Sequence, residues 1–302
     1  MKKDDIVYYV DRLTGQKKIE QVVGAKLVHF FSQPGWRRKC VEFACRYSIF
    51  SFLYGLWQKM PWTKKNILSF ALRFGIKLEE CEKSIDEFTS VNDFFTRTLR
   101  PESRPIVQDK NVCIIPADAR YSVCPVIRAS KMFFIKGQEF FLGAFLENDK
   151  LAERYDGGSL VVARLAPVDY HRFHFPCDCI PDKPRVINGK LLSVHPLSLN
   201  IRSYFSENKR IVTKLKTETF GDVLFVEIGA LNVGSIKQTF IPGQFYKKGE
   251  EKGYFALGAS AIAMVFEKDR IIFDEDLTFF SKIEVEALCF FGQSLGCSDK
   301  TL

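Results

Sequence analysis

Two hydrophobic periods divide the chain. From Ile67 to Leu78 the apolar residues of Ile-Leu-Ser-Phe-Ala-Leu-Arg-Phe-Gly-Ile-Lys-Leu recur at helical spacing. Ser90-Val-Asn-Asp-Phe94 can open a further helical turn. Beyond residue 90 short β-rich runs take over: Ser159–Leu165, Asp222–Gly229, Ser260–Phe266 and Arg270–Phe273. Between them fall the turn signals Asp156-Gly-Gly, Asn188-Gly, Pro242-Gly and Lys248-Gly. No repeat or low-complexity tract is visible. The pattern predicts an α+β fold, with a helical N-terminal region over residues 1–95 on a mostly antiparallel β core over 96–302.

The longest apolar run, Ile49 to Trp57, is broken by Ser51. It is about half of the roughly 20 residues a spanning helix needs, so no transmembrane segment is expected. The opening Met-Lys-Lys-Asp-Asp lacks the apolar stretch of a secretory signal. Charge adds a second division. Residues 1–77 carry 15 Lys or Arg against 5 Asp or Glu, while the remainder carries 29 against 31. The whole basic excess therefore sits in the N-terminal quarter and implies an acidic partner. Aromatic neighbours such as Trp36, Phe52, Trp57 and Trp62 favour an anionic membrane surface. No zinc-finger, helix-turn-helix or ribonucleoprotein pattern favours nucleic acid. An amphipathic helical subdomain that packs its aromatics inward is the plain alternative, and it is compatible with docking by one edge. The expectation is a peripheral protein on the cytoplasmic face of the cell membrane.

Nine cysteines follow no framework, which points to reduced thiols in the cytoplasm. Cys177-Asp-Cys179 has no second cysteine pair to complete a zinc site with His171 and His174. Strand thiols are the better reading, and no metal is expected.

Chemistry concentrates in Leu165-Ala-Pro-Val-Asp-Tyr-His-Arg-Phe-His-Phe-Pro176. Histidine titrates near neutrality and is the usual proton carrier in catalysis. His171 and His174 are three apart. In an extended strand they face opposite ways and do different jobs; to serve one site together the segment must turn. A polar strand end with capping histidines is the plain alternative.

Five separated segments resemble the phosphatidylserine decarboxylase family. They are Phe88 to Ile106, Ile115-Pro-Ala-Asp118, Leu165 to Pro176, Gly229-Ala-Leu-Asn-Val-Gly-Ser-Ile236 and Phe255-Ala-Leu-Gly-Ala-Ser-Ala261. Their order over about 170 residues makes the resemblance specific. It implies a proenzyme that cuts itself between Ala259 and Ser260, giving a β chain 1–259 and an α chain 260–302. Ser260 would become a covalent pyruvoyl group, with Asp118 and His174 completing the processing triad. His171 would serve decarboxylation. The pyruvoyl group would form a Schiff base with phosphatidylserine and release carbon dioxide to leave phosphatidylethanolamine, with no separate cofactor. Gly234 and Ser235 would line the pyruvoyl pocket, or simply form a tight turn. Taken alone, Ser260 reads as a strand-start serine and Asp118 as a turn cap.

Three positions depart from the family pattern: Ala119 and Ala259 stand where the family has Gly, and Ala261 replaces Ser or Thr. A methyl at the scissile residue is expected to slow the strained acyl shift without removing a reacting group. An unprocessed, inactive relative that binds anionic lipid is the alternative function. A serine or metal hydrolase built on the same side chains is the third. The partners implied are anionic membrane phosphatidylserine and the two chains of one precursor; a homodimer is compatible with these residues.

Overall fold

The computed structural model describes residues 7–20, 55–128, 133–135, 138–189, 204–229, 236–256 and 260–298. Among them are eighteen strands, numbered here in chain order. Ten build one sheet: β1 (Tyr8–Asp11), β2 (Lys17–Ile19), β4 (Ala119–Cys124), β7 (Ser159–Leu165), β9 (Ile180–Pro181), β10 (Arg185–Ile187), β11 (Arg210–Lys216), β12 (Asp222–Gly229), β15 (Ser260–Phe266) and β17 (Glu286–Cys289). The order is β10-β11-β12-β15-β7-β4-β17-β1-β2, with β9 also on β11. Its pairings are antiparallel except that β1 runs parallel to β17. A second sheet joins β13 (Ile236–Gln238), β14 (Glu251–Phe255) and β8 (Arg172–His174). A third joins β16 (Ile272–Phe273), β18 (Ser294–Cys297) and β3 (Val112–Ile114), and β5 (Phe133–Ile135) pairs with β6 (Gln138–Phe140).

The strand period of two sorts the core into two layers. Tyr121, Ala163, Phe225 and Met264 share one buried cluster with Phe173 and Phe175 from β8 and the residues after it. Leu160, Val162, Val226 and Ala263 share the other with Leu142, Phe145 and Leu146 of the helix Leu142–Leu146. Both faces of the sheet centre are therefore covered. This explains why every residue of β7 and β15 is buried and why these runs read as continuous rather than alternating.

The antiparallel β core matches the sequence expectation, but the N-terminal region is not helical throughout. Residues 7–20 form the β1–β2 hairpin at one edge of the main sheet. Asp11 Oδ1 accepts the amides of Leu13 and Thr14, and Gly15 takes φ 67°, so a polar turn ends β1. Tyr-Tyr-Val followed by Asp-Arg-Leu-Thr-Gly was a hairpin signal. Helix does appear at Ile67–Phe74, closed by Gly75 at φ 66°, and at Val91–Phe95, capped by Ser90 Oγ accepting from Asp93 N at 3.2 Å. Ile67 and Ala71 pack inward on Phe88 and Phe94, whereas Leu68 and Leu72 face out. Trp36 and Phe52 lie outside the described residues.

Candidate active site

Antiparallel alternation brings four motif boundaries to one end of the main sheet. β7 finishes at Leu165 and β12 at Gly229, whereas β4 starts at Ala119 and β15 at Ser260. In register, Ser260 sits opposite Gly229 on one side and Leu165 on the other. Arg164 pairs in turn with Arg120. Segments far apart in sequence thus meet around one serine.

Ser260 is fully buried, and its Oγ has no hydrogen-bond partner among the described residues. Ile262, Met264 and Phe266 of the same strand belong to the layer that holds Phe173 and Phe175. The period of two puts the Ser260 side chain on that same face. β8 lies over this layer and pairs with β14, whose last residue Phe255 donates its N–H to the His171 carbonyl at 2.9 Å. The histidine strand therefore lies against the segment that runs toward Ser260.

The two histidines occupy different surroundings. The His174 ring stacks on Phe291 at 3.7 Å and 12° and lies 5.8 Å from Tyr170. Its Nδ1 is 3.3 Å from the Pro116 carbonyl oxygen. A carbonyl can only accept, so Nδ1 carries the proton and Nε2 keeps the lone pair. Burial pushes the His174 imidazole down to about 4, against the pull of Pro116, so the ring is neutral at physiological pH. The His171 ring is fully buried against Phe95, with centroids 3.8 Å apart. Its Nδ1 donates to the Asp169 carbonyl at 2.9 Å, so in the neutral ring Nε2 is the basic nitrogen.

Asp118 is buried at the end of the Pro-Ala-Asp segment. It accepts from Arg104 Nη2 at 2.7 Å, from Arg104 Nε at 3.1 Å and from Phe291 N–H at 2.8 Å. No hydrogen bond joins it to His174 among the described residues, but both contact Phe291, one through the backbone and one through the ring. Ala119 and Ala261 lie within strands, and neither has a positive φ, so neither backbone demands glycine. Gly234, Ser235 and Ala259 lie outside the described residues.

Sequence reasoning gave no role to Arg97, Arg104, Asp169 or Phe291, which hold the histidines and the aspartate in place. Arg97 and Arg104 stand in the Phe88 to Ile106 segment and Asp169 in the histidine segment, so their positions were a signal. Phe291 had none. Cys177 and Cys179 are buried in the apolar layer beneath the small sheet.

The phosphatidylserine decarboxylase family model matches residues 91–297. The chain is similar to the phosphatidylserine decarboxylase proenzyme of Chlamydia pneumoniae, 47% identical over 293 residues that cover 97% of each chain. It is 46% identical to the proenzyme of Chlamydia muridarum over 95% of this chain and 96% of that one. With the Chlamydia felis proenzyme it shares 46% identity over 96% of this chain and 97% of the relative.

Proposed function

The chain belongs to the phosphatidylserine decarboxylase family, and from that premise we propose that it is a self-processing enzyme that converts phosphatidylserine to phosphatidylethanolamine and carbon dioxide. The observation that carries the reading is the hydroxyl of Ser260, buried at the strand end beside the histidine segment and without a hydrogen-bond partner among the described residues. A buried hydroxyl without a partner costs stability unless the site uses it. Ser260 therefore fits the residue from which a pyruvoyl group is made.

In the proposed processing step, neutral His174 takes the Ser260 hydroxyl proton at Nε2. Oγ forms an ester with the Ala259 carbonyl carbon as the peptide C–N bond breaks, and the freed nitrogen takes up a proton. Elimination then releases the Ala259 carboxylate, and hydrolysis of the remaining dehydroalanine expels ammonia. Asp118, clamped by Arg104 and the Phe291 amide, fixes Phe291 and so the face on which His174 stacks. Once formed, the pyruvoyl group supplies an electron sink for the substrate's α-carbon. His171 takes a proton from the substrate's ammonium at Nε2, the nitrogen its bond to Asp169 leaves unprotonated, and returns it to the α-carbon in place of carbon dioxide. Gly234 and Ser235 line the pocket in this reading.

The substrate is a lipid, so the enzyme works at a membrane surface. No helix among the described residues is long and apolar enough to cross a bilayer. Trp57, Trp62, Leu68 and Leu72 are exposed next to Lys59, Lys64 and Lys65, a composition suited to the bilayer interface. We place the protein peripherally on an anionic membrane.

Intact mass of the purified protein tests the whole reading. Two chains split at 259/260, with the smaller chain blocked by a pyruvoyl group and decarboxylation inhibited by carbonyl reagents, are the expected result. One uncut chain without activity would instead favour an inactive lipid-binding relative.

A further inference from the structure

The turn that carries His171 is held from both sides of the sheet end. β7 ends at Leu165, and the chain then crosses the sheet end through Ala166 to Tyr170. Ala166 N–H donates to Asp169 Oδ2 at 2.6 Å, and Asp169 N–H donates back to the Ala166 carbonyl at 2.9 Å. Arg120 Nη1 donates to the same Oδ2. Arg120 belongs to a buried ionic cluster in which Arg164 binds Glu20 at 2.8 Å and Glu286 at 2.7 Å, and Arg120 lies 3.4 Å from Glu20. Positions 120 and 164 alternate with Tyr121 and Ala163, so this cluster lies on the sheet face opposite Ser260. The carboxylate of Asp169 is anchored behind the sheet, while its carbonyl holds His171 on the other side.

A second cation completes the clamp. Arg97 is buried and has no carboxylate partner among the described residues. Its Nη2 lies 3.2 Å from both the Val168 and the Asp169 carbonyl oxygens. Arg97 and His171 Nδ1 thus converge on one acceptor, the Asp169 carbonyl.

We propose that Asp169 and Arg97 are positioning residues for His171. They fix the Ala166–Tyr170 turn so that the Asp169 carbonyl receives Nδ1–H, and His171 presents an unprotonated Nε2 to the reaction. This rests on the reading that His171 serves decarboxylation.

Asp169→Ala removes the oxygen that Ala166 and Arg120 share. In the cut enzyme, kcat is expected to fall about 100-fold, the usual effect of misplacing a catalytic group by about 1 Å. KM should stay within about twofold, because substrate binding is not what the clamp controls. Asp169→Asn keeps an oxygen that both donors can reach and should recover most of the loss. Ring 15N shifts in histidine-labelled protein should show His171 protonated at Nδ1 in the wild type and a mixture of tautomers in Asp169→Ala. A cut Asp169→Ala enzyme with wild-type kcat and an unchanged tautomer would overturn the proposal. Should that variant not mature, Arg97→Gln carries the same test: lowered kcat at near-constant KM supports the proposal, and wild-type kcat overturns it. His171→Ala separates the two levels. If it turns over normally, the decarboxylation reading of His171 is wrong. If it is dead while Asp169→Ala is fully active, only the positioning proposal fails.

Discussion

At the scale of single residues, one hydroxyl and two imidazoles carry the proposed chemistry. Ser260→Ala should leave a single uncut chain with no decarboxylase activity on a denaturing gel, because a methyl can neither attack nor become a ketone. A normally cut alanine variant would move the scissile bond elsewhere. His174→Ala should block cutting, whereas His171→Ala should permit cutting and abolish turnover; equal processing by both would sink the division of labour. Acid stability gives an independent check. Burial holds the folded His174 at about 4, below its unfolded value of 6.5. Between those values unfolded chains bind a proton that folded chains refuse, so stability falls as pH drops through this window, by about 3 kcal/mol in all. Glu20 acts in the same direction at lower pH. Burial alone would raise its carboxyl, but Arg164 and Arg120 outweigh that and lower it, so its contribution fades below its ordinary carboxylate range. Urea unfolding at pH 7.5, 6 and 4.5 measures the slope, and His174→Phe, which keeps a stacked ring, should flatten its upper part. An unchanged slope in that variant would show that His174 is not the titrating group.

At the scale of elements, the approach to Ser260 is braced by a buried pair between β14 and β12. Lys252 and Glu227 are both fully buried, with Nζ 2.5 Å from Oε1. Thr213 and the Gln238 oxygen accept from the same ammonium, and Phe173, Phe225 and Phe240 surround it. Removing one partner leaves an uncompensated charge in an apolar layer. Lys252→Met should therefore cost roughly 3–5 kcal/mol, while Lys252→Met with Glu227→Leu should recover much of it. Denaturant midpoints decide this; a single substitution as mild as the double one would mean the pair is not isolated from water. The same strand leads to the departures from the family pattern. Ala259→Gly should speed maturation, since glycine reaches the bent conformation of the acyl shift more readily. A time course with unchanged cutting would show that the methyl is already accommodated.

At the scale of the molecule, cutting at 259/260 would not split the fold. β15 lies between β12 and β7 in the middle of the main sheet, and residues 260–298 also supply β17 and β18. The two chains should copurify and part only in denaturant. The N-terminal quarter is equally built in. Its hairpin pairs with β17, and Glu20 enters the ionic cluster behind the Ala166–Tyr170 turn. Deleting residues 1–77 would damage the core, so membrane binding is better tested by Trp57→Ser, Trp62→Ser and Leu72→Ser together. Vesicle binding should fall in this variant and should also weaken in salt, since each Lys or Arg near an anionic surface contributes about 1 kcal/mol, screened beyond about 8 Å. Wild-type binding by the triple variant would place the contact elsewhere.

The order of local motifs and the positions of the core strands were determined by the sequence itself. β7, β12 and β15 stand where their apolar runs lay, because period and turn residues act over a few positions. The family and the pair of histidines were equally legible, since both are carried by contiguous segments. The hairpin at residues 8–19 was within reach of the same reasoning, but the helical period of Ile67 to Leu78 was extended over the whole N-terminal region. Only the tertiary structure decided that Asp118 pairs with Arg104, that His174 stacks on Phe291, and that Asp169 reaches through the sheet end to Arg120. These partners are 14, 117 and 49 positions apart. Buried ions and rings take whichever partner strand register brings within reach, and register is a property of the closed sheet rather than of any one segment.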